Sequence, residues 1–128
     1  MGEHEFTYAL YSHLGTVTEG GTIEEANRMN LPAQVVQGMF VDGRKLINVS
    51  SNNVIIDAVK KAEDEDCLVV RMHECRGGRG NVTLSSEYPI KRIVPCNLIE
   101  HDCGEVIEGA NVEFEIKPFE IKTFKLFF

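Results

Sequence analysis

Residues Cys67 to Ser85, CLVVRMHECRGGRGNVTLS, constrain the fold more than any other stretch. Leu68, Val69 and Val70 form an apolar run, and Arg71 to Glu74 then mix polar and apolar residues. Val82 and Leu84 resume an alternating pattern on one face. Between the two runs, Arg76-Gly77-Gly78-Arg79-Gly80 breaks the strand signal. Glycine accepts positive φ without penalty, so the chain can turn anywhere in this link. The pattern predicts a β-hairpin whose glycine-rich connection holds Arg76 and Arg79 at the rim of a sheet. Such arginines either stay solvated or meet an anionic or hydroxyl-rich partner.

The same short-period alternation recurs along the chain. Glu3 to His13 places Phe6, Tyr8 and Leu10 on one face and predicts a half-buried strand. A strand so close to residue 1 suggests a chain cut from a longer one. After Gly20-Gly21, Thr22-Ile23-Glu24-Glu25 fits a capping box, with a short helix ending near Asn30 before Leu31-Pro32. Ala33 to Gln37 is expected to be extended, and Asp42-Gly43 is a turn signal. Strands are expected at Leu46 to Val49, Asn53 to Lys61 and Pro89 to Leu98, with Pro95 marking an edge or a bulge. Glu63 to Asp66 reads as a solvated acidic turn. Ala110 to Lys117 turns Val112, Phe114 and Ile116 inward. In Phe119 to Phe128 the apolar parity slips between Ile121 and Phe124, which predicts a bulge or a strand crossing between sheets. About eight or nine short strands and one short helix, with turn signals at roughly ten-residue intervals, describe an all-β fold: an antiparallel two-sheet β-sandwich.

A chain of 128 residues fits one domain, here taken as residues 1–128, and can bury a core without staples. The net charge of −7 argues against sequence-independent nucleic-acid binding and against an anionic membrane surface. No window approaches the ~20 apolar residues of a membrane span, and the acidic start MGEHEF does not resemble an export signal. Cys67, Cys75, Cys96 and Cys103 form no Cys-x-x-Cys pair and read as free thiols of a cytoplasmic protein.

Chemistry-bearing motifs are sparse. His73-x-Cys75 and His101-x-Cys103 place two possible metal ligands on one strand face each, a weak Cys₂His₂ alternative whose spacers are short for zinc. No serine sits in a nucleophile elbow, and the glycine-rich link lacks the Gly-Lys-Ser/Thr ending of a phosphate loop. Carboxylates fall mainly at outward positions such as Glu113 and Glu115, not in an evident acid pair. No catalytic residue is expected in this chain.

The order of segments adds a second line of inference. HEFTYALYSH (residues 4–13), TIEEAN (22–27), Asn53-Val54 with AVKKAE (58–63), Cys67 to Gly80, Lys91-Arg92, Asn97-Leu98 and PFEIKT (118–123) together resemble the C-terminal part of bacterial α-mannosidases, the family 38 glycoside hydrolases. In that family an N-terminal α/β domain carries a zinc site, an Asp nucleophile and an acid/base, and cleaves α-mannosidic bonds with retention through a glycosyl-enzyme intermediate. None of those segments occurs here. The resemblance therefore implies an accessory, non-catalytic C-terminal β-domain of a larger enzyme, inactive alone. Its partner would be the N-terminal catalytic domain, it would meet the mannoside substrate only through that parent, and zinc would belong to the parent. Arg76 and Arg79 become candidates for the substrate rim or the domain interface. A free-standing carbohydrate- or ligand-binding sandwich is the alternative, weakened by the absence of Trp.

Overall fold

The computed structural model describes residues 2–38 and 43–128, so the Asp42-Gly43 turn signal lies partly outside the described residues. The chain divides into two compact units, Met1–Met39 and Phe40–Phe128. No helix among the described residues is long and apolar enough to cross a membrane.

The first unit contains α1 (Thr22–Asn30), with the bounds that the sequence predicts. Its start differs from the expected capping box. Gly21, in the left-handed region at φ 72°, is the N-cap, and Thr22 is already helical. The Thr22 hydroxyl is buried without a hydrogen-bond partner, and the Glu25 amide donates to the Gly21 carbonyl at 3.1 Å. Glu25 turns instead to Arg28, one turn along the helix. The strand expected over Glu3 to His13 does not form. Alternation supplies two faces, but a strand also needs a neighbour for its backbone groups, and no described residue pairs with this segment. Phe6, Tyr8 and Leu10 are exposed.

The second unit is a β-sandwich of two antiparallel sheets. β1 (Asn48–Val49), β4 (Gly80–Ser85) and β7 (Asn111–Ile116) form a three-stranded sheet in the order β1-β4-β7. β2 (Val54–Lys61), β3 (Leu68–Glu74), β8 (Ile121–Phe127), β5 (Arg92–Cys96) and β6 (Ile107–Glu108) form a five-stranded sheet in the order β2-β3-β8-β5-β6. β1 is shorter than the stretch expected from Leu46 to Val49. Val70 and Met72 of β3, Leu84 of β4, Ile93 of β5, Ile116 of β7 and Leu126 of β8 fill the space between the sheets. Each is at most 2% exposed, as strict inward alternation requires.

Three local expectations change in the structure. β3 and β4 do not form a hairpin. β3 pairs with β2 and β8, while β4 pairs with β1 and β7, so the glycine-rich link arches from one sheet to the other. Two consecutive alternating runs look the same in sequence whether they pair together or face each other. β8 contains no bulge; its register with β3 and β5 is continuous. Phe119 precedes the strand and Ile121 is half-exposed, so Phe124 and Leu126 alone define the core parity. The bulge lies in β2, between Ile56 and Ala58. The acidic turn is not wholly solvated either. Glu65 folds over β8, and Ala62, Cys67 and Val69 form a second, smaller core with Phe127.

Pro95 behaves as its chemistry demands. β6 pairs only with Arg92 and Ile93, so Pro95 lies beyond its end. There its carbonyl accepts the Cys103 amide at 3.0 Å, and its missing N–H leaves no ladder bond unmade.

Candidate functional site

Two connections cross between the sheets at the same end of the sandwich. Residues 75–79 lead from β3 to β4, and residues 117–120 lead from β7 to β8. The pairings Gly80↔Ile116 and His73↔Ile121 place these arches side by side. Glu74, the last residue of β3, lies between them and is 1% exposed.

The Glu74 carboxylate accepts four backbone N–H groups. Oε1 takes the amides of Arg76 and Gly78, each at 2.9 Å. Oε2 takes the Gly77 amide at 2.8 Å and the Phe119 amide at 2.9 Å. The backbone N–H of Glu74 donates in turn to the Glu120 carbonyl at 3.0 Å. Burial alone would raise the pKa of this carboxyl, but the amides of Phe119, Gly78, Arg76 and Gly77 outweigh it and hold the group below the usual carboxylate range. The first arch folds this way because Gly77 takes φ +73° and because the amides after Glu74 can curl back onto one acceptor. The second arch has its own lock: Glu120 Oε2 accepts the Lys117 amide at 2.8 Å.

Phe119 completes the cluster. Its φ of 58° is unusual for an aromatic residue and costs on the order of 1–3 kcal/mol. Its ring lies over Gly77, where an added Cβ would come within 3.2 Å of Cζ. Even so, the residue is 71% exposed. A bulky side chain in a strained conformation, tied by its amide and turned to solvent, is what a presented contact residue looks like.

The two sequence-predicted arginines flank this cluster differently. Arg79 pairs with Glu115 of β7 at 3.0 Å, both side chains more than half-exposed. Arg76 is half-buried, and its own amide is one of the four on Glu74. Sequence reasoning singled out the arginines and missed the Glu74 cluster beside them. The available signal was an acidic residue closing an apolar strand directly before a glycine-rich link.

The weak metal set does not assemble. His73 Nδ1 contacts both carboxylate oxygens of Asp57, at 2.8 and 2.9 Å, and the Cys75 thiol donates to the Asn53 carbonyl at 3.3 Å. His101 and Cys103 lie in the connection after β5 and are exposed. Among the described residues no group of three or more His, Cys, Asp or Glu side chains could hold a metal ion.

Hollows also lie elsewhere on the second unit. One, of about 290 Å³, borders the outer face of the five-stranded sheet, beside Lys125. The buried Lys125 ammonium pairs there with Glu65 and with Asp102, so its charge is already met within the fold. These two carboxylates push its pKa up. The other, of about 450 Å³, opens between β5, β7 and β8 beside Phe114 and Phe124.

Comparison with known proteins agrees with this architecture. The family model described as the glycosyl hydrolases family 38 C-terminal β-sandwich domain matches residues 53–124. The chain is 33% identical over 140 residues to "Alpha-mannosidase G" of Dictyostelium discoideum, covering 98% of this chain and 12% of that protein. It is 30% identical over 135 residues to "Alpha-mannosidase 2C1" of Mus musculus, covering 98% and 13%. It is 28% identical over 158 residues to "Alpha-mannosidase" of Saccharomyces cerevisiae, covering 100% and 14%. The chain thus spans only 12–14% of the length of these curated relatives. All three are eukaryotic, so the bacterial tie suggested by sequence resemblance finds no support in them.

Proposed function

The chain belongs to the glycosyl hydrolases family 38 C-terminal β-sandwich domain family, and on that basis we propose that it serves as the accessory, non-catalytic β-domain of an α-mannosidase that hydrolyses α-mannosidic bonds. The observation that carries this reading is a match to the sandwich alone: residues 53–124 fit the family's C-terminal domain, and the chain corresponds to a small part of proteins named α-mannosidase. The absence of any catalytic set in the sequence motifs points the same way. In this reading the partner is the catalytic domain of the same polypeptide. The carboxylates that break the glycosidic bond, and any zinc, belong to that domain. The parent enzyme acts in the cytoplasm.

The arch that carries Arg76 and Arg79 forms part of the rim of the sugar site, where a guanidinium hydrogen-bonds sugar hydroxyls or orients an acidic residue. Arg76→Ala and Arg79→Ala in the full-length α-mannosidase test this. A loss of kcat/KM of about tenfold in at least one variant supports the rim role. Unchanged kinetics in both, with the fold intact, overturn it. The chain alone should release no product from an aryl α-mannoside; turnover by the purified 128-residue chain would remove the accessory reading.

A further inference from the structure

The two arches could each close on their own partners, as the Lys117–Glu120 contacts of the second arch illustrate. Instead both converge on one buried carboxylate. Oε1 of Glu74 holds Arg76 and Gly78, while Oε2 holds Gly77 of the same arch and Phe119 of the other. Burying a charge is costly, and a turn by itself does not require it. What the shared acceptor provides is a fixed offset between two loops that begin in different sheets. Four short bonds to one rigid, planar group leave the loops little freedom to slide past each other.

Among the residues fixed in this way Phe119 is turned outward, and Arg76 is half-buried in the arch beside it. Phe119 keeps a left-handed backbone conformation that its side chain disfavours, with its ring over Gly77. Such strain persists only where the surroundings over-determine it, and it gathers at contact and catalytic sites. Arg76 is held through its own amide, one bond away from the guanidinium-bearing side chain's root.

We propose that Glu74 is a positioning residue: its carboxylate joins the two arches and holds Arg76 and Phe119 as one preorganised contact element on the rim of the mannoside site. This rests on the rim reading given above, and it adds that the contact depends on a residue that itself touches no substrate. The pair Arg76 and Phe119 suits a pyranoside, which offers hydroxyls to a guanidinium and C–H groups to an aromatic face.

A double-mutant cycle in the full-length α-mannosidase tests it, with Glu74→Gln, Arg76→Ala and the combination assayed on an aryl α-mannoside. Gln keeps the shape but replaces one acceptor oxygen by a donor, setting it against two of the amides. If Glu74 acts through Arg76, each single variant loses roughly tenfold in kcat/KM, and the double loses no more than about twofold beyond the worse single. Independent, multiplying losses overturn the positioning role while leaving the rim reading in place, as does a normal Glu74→Gln enzyme beside an impaired Arg76→Ala. An unchanged Arg76→Ala enzyme also overturns it, and Arg79→Ala then decides whether the rim reading survives. If Glu74→Gln yields no folded enzyme, Gly77→Ala takes its place in the cycle. That substitution leaves the carboxylate intact but drives a Cβ against Phe119 from a positive-φ position.

Discussion

Replacing Glu74 by alanine should destabilise the sandwich by about 3–4 kcal/mol at neutral pH. Four backbone amides lose a charged acceptor, and each such bond is worth about 1.5–3 kcal/mol. The simple sum overshoots for two reasons. The native protein already bears the desolvation of the carboxylate, and deleting the side chain returns that cost. Gly77 and Phe119 are exposed, so water can reach their amides once the carboxylate is gone. The assay is urea unfolding followed by circular dichroism, where the midpoint should fall with little change in slope. Acid supplies the diagnostic. The native carboxyl sits below its ordinary value, so its contribution is complete above the unfolded value of about 4.3 and is lost as pH falls through the lower native one. The gap between the native protein and Glu74→Ala should therefore narrow in acid. Glu100 and Glu120 are also lowered, but both proteins retain them and their effect cancels in the difference. A neutral-pH gap under about 1 kcal/mol, or one that ignores pH, would refute the clamp.

Two further outcomes follow from the outer face of the five-stranded sheet. Lys125→Met should change stability by under about 1 kcal/mol, because Glu65 and Asp102 are exposed enough to return to water, whereas removing both carboxylates strands a buried ammonium and costs roughly 3 kcal/mol; urea unfolding of the two variants separates these cases. Among the thiols, exposed Cys103 should react with an aromatic disulfide reagent in the native protein, while Cys96, buried and pushed up to about 11, should react only on unfolding, as stopped-time titration of thiols would record.

The sandwich was readable because its signals are local. Val112 and Ile116 alternate with glutamates along β7, and the Val54-Ile55-Ile56 run favours a strand over a helix, as found. Pairing was not readable. The sequence from Cys67 to Ser85 carries two strand patterns and a flexible link, and nothing in it says whether the strands share a sheet; that is decided by β8, some forty residues downstream, which takes the place beside β3. Glu74 was hidden for the same reason. A lone acidic residue at a strand end is ordinarily a solvated one, and its fourth ligand, the amide of Phe119, is 45 residues away. Arg76 and Arg79, by contrast, stand out in the sequence as two cations among three glycines.

The bulge in β2 has a consequence for how the molecule behaves in company. β2 ends the five-stranded sheet, and a straight open edge of eight residues would invite a second chain to pair along it. The break in register between Ile56 and Ala58 divides that edge into two short runs that cannot both be in step with one incoming strand. Lys60 and Lys61 add charge at its far end. A sheet edge that is out of phase with itself is a poor template for a second strand.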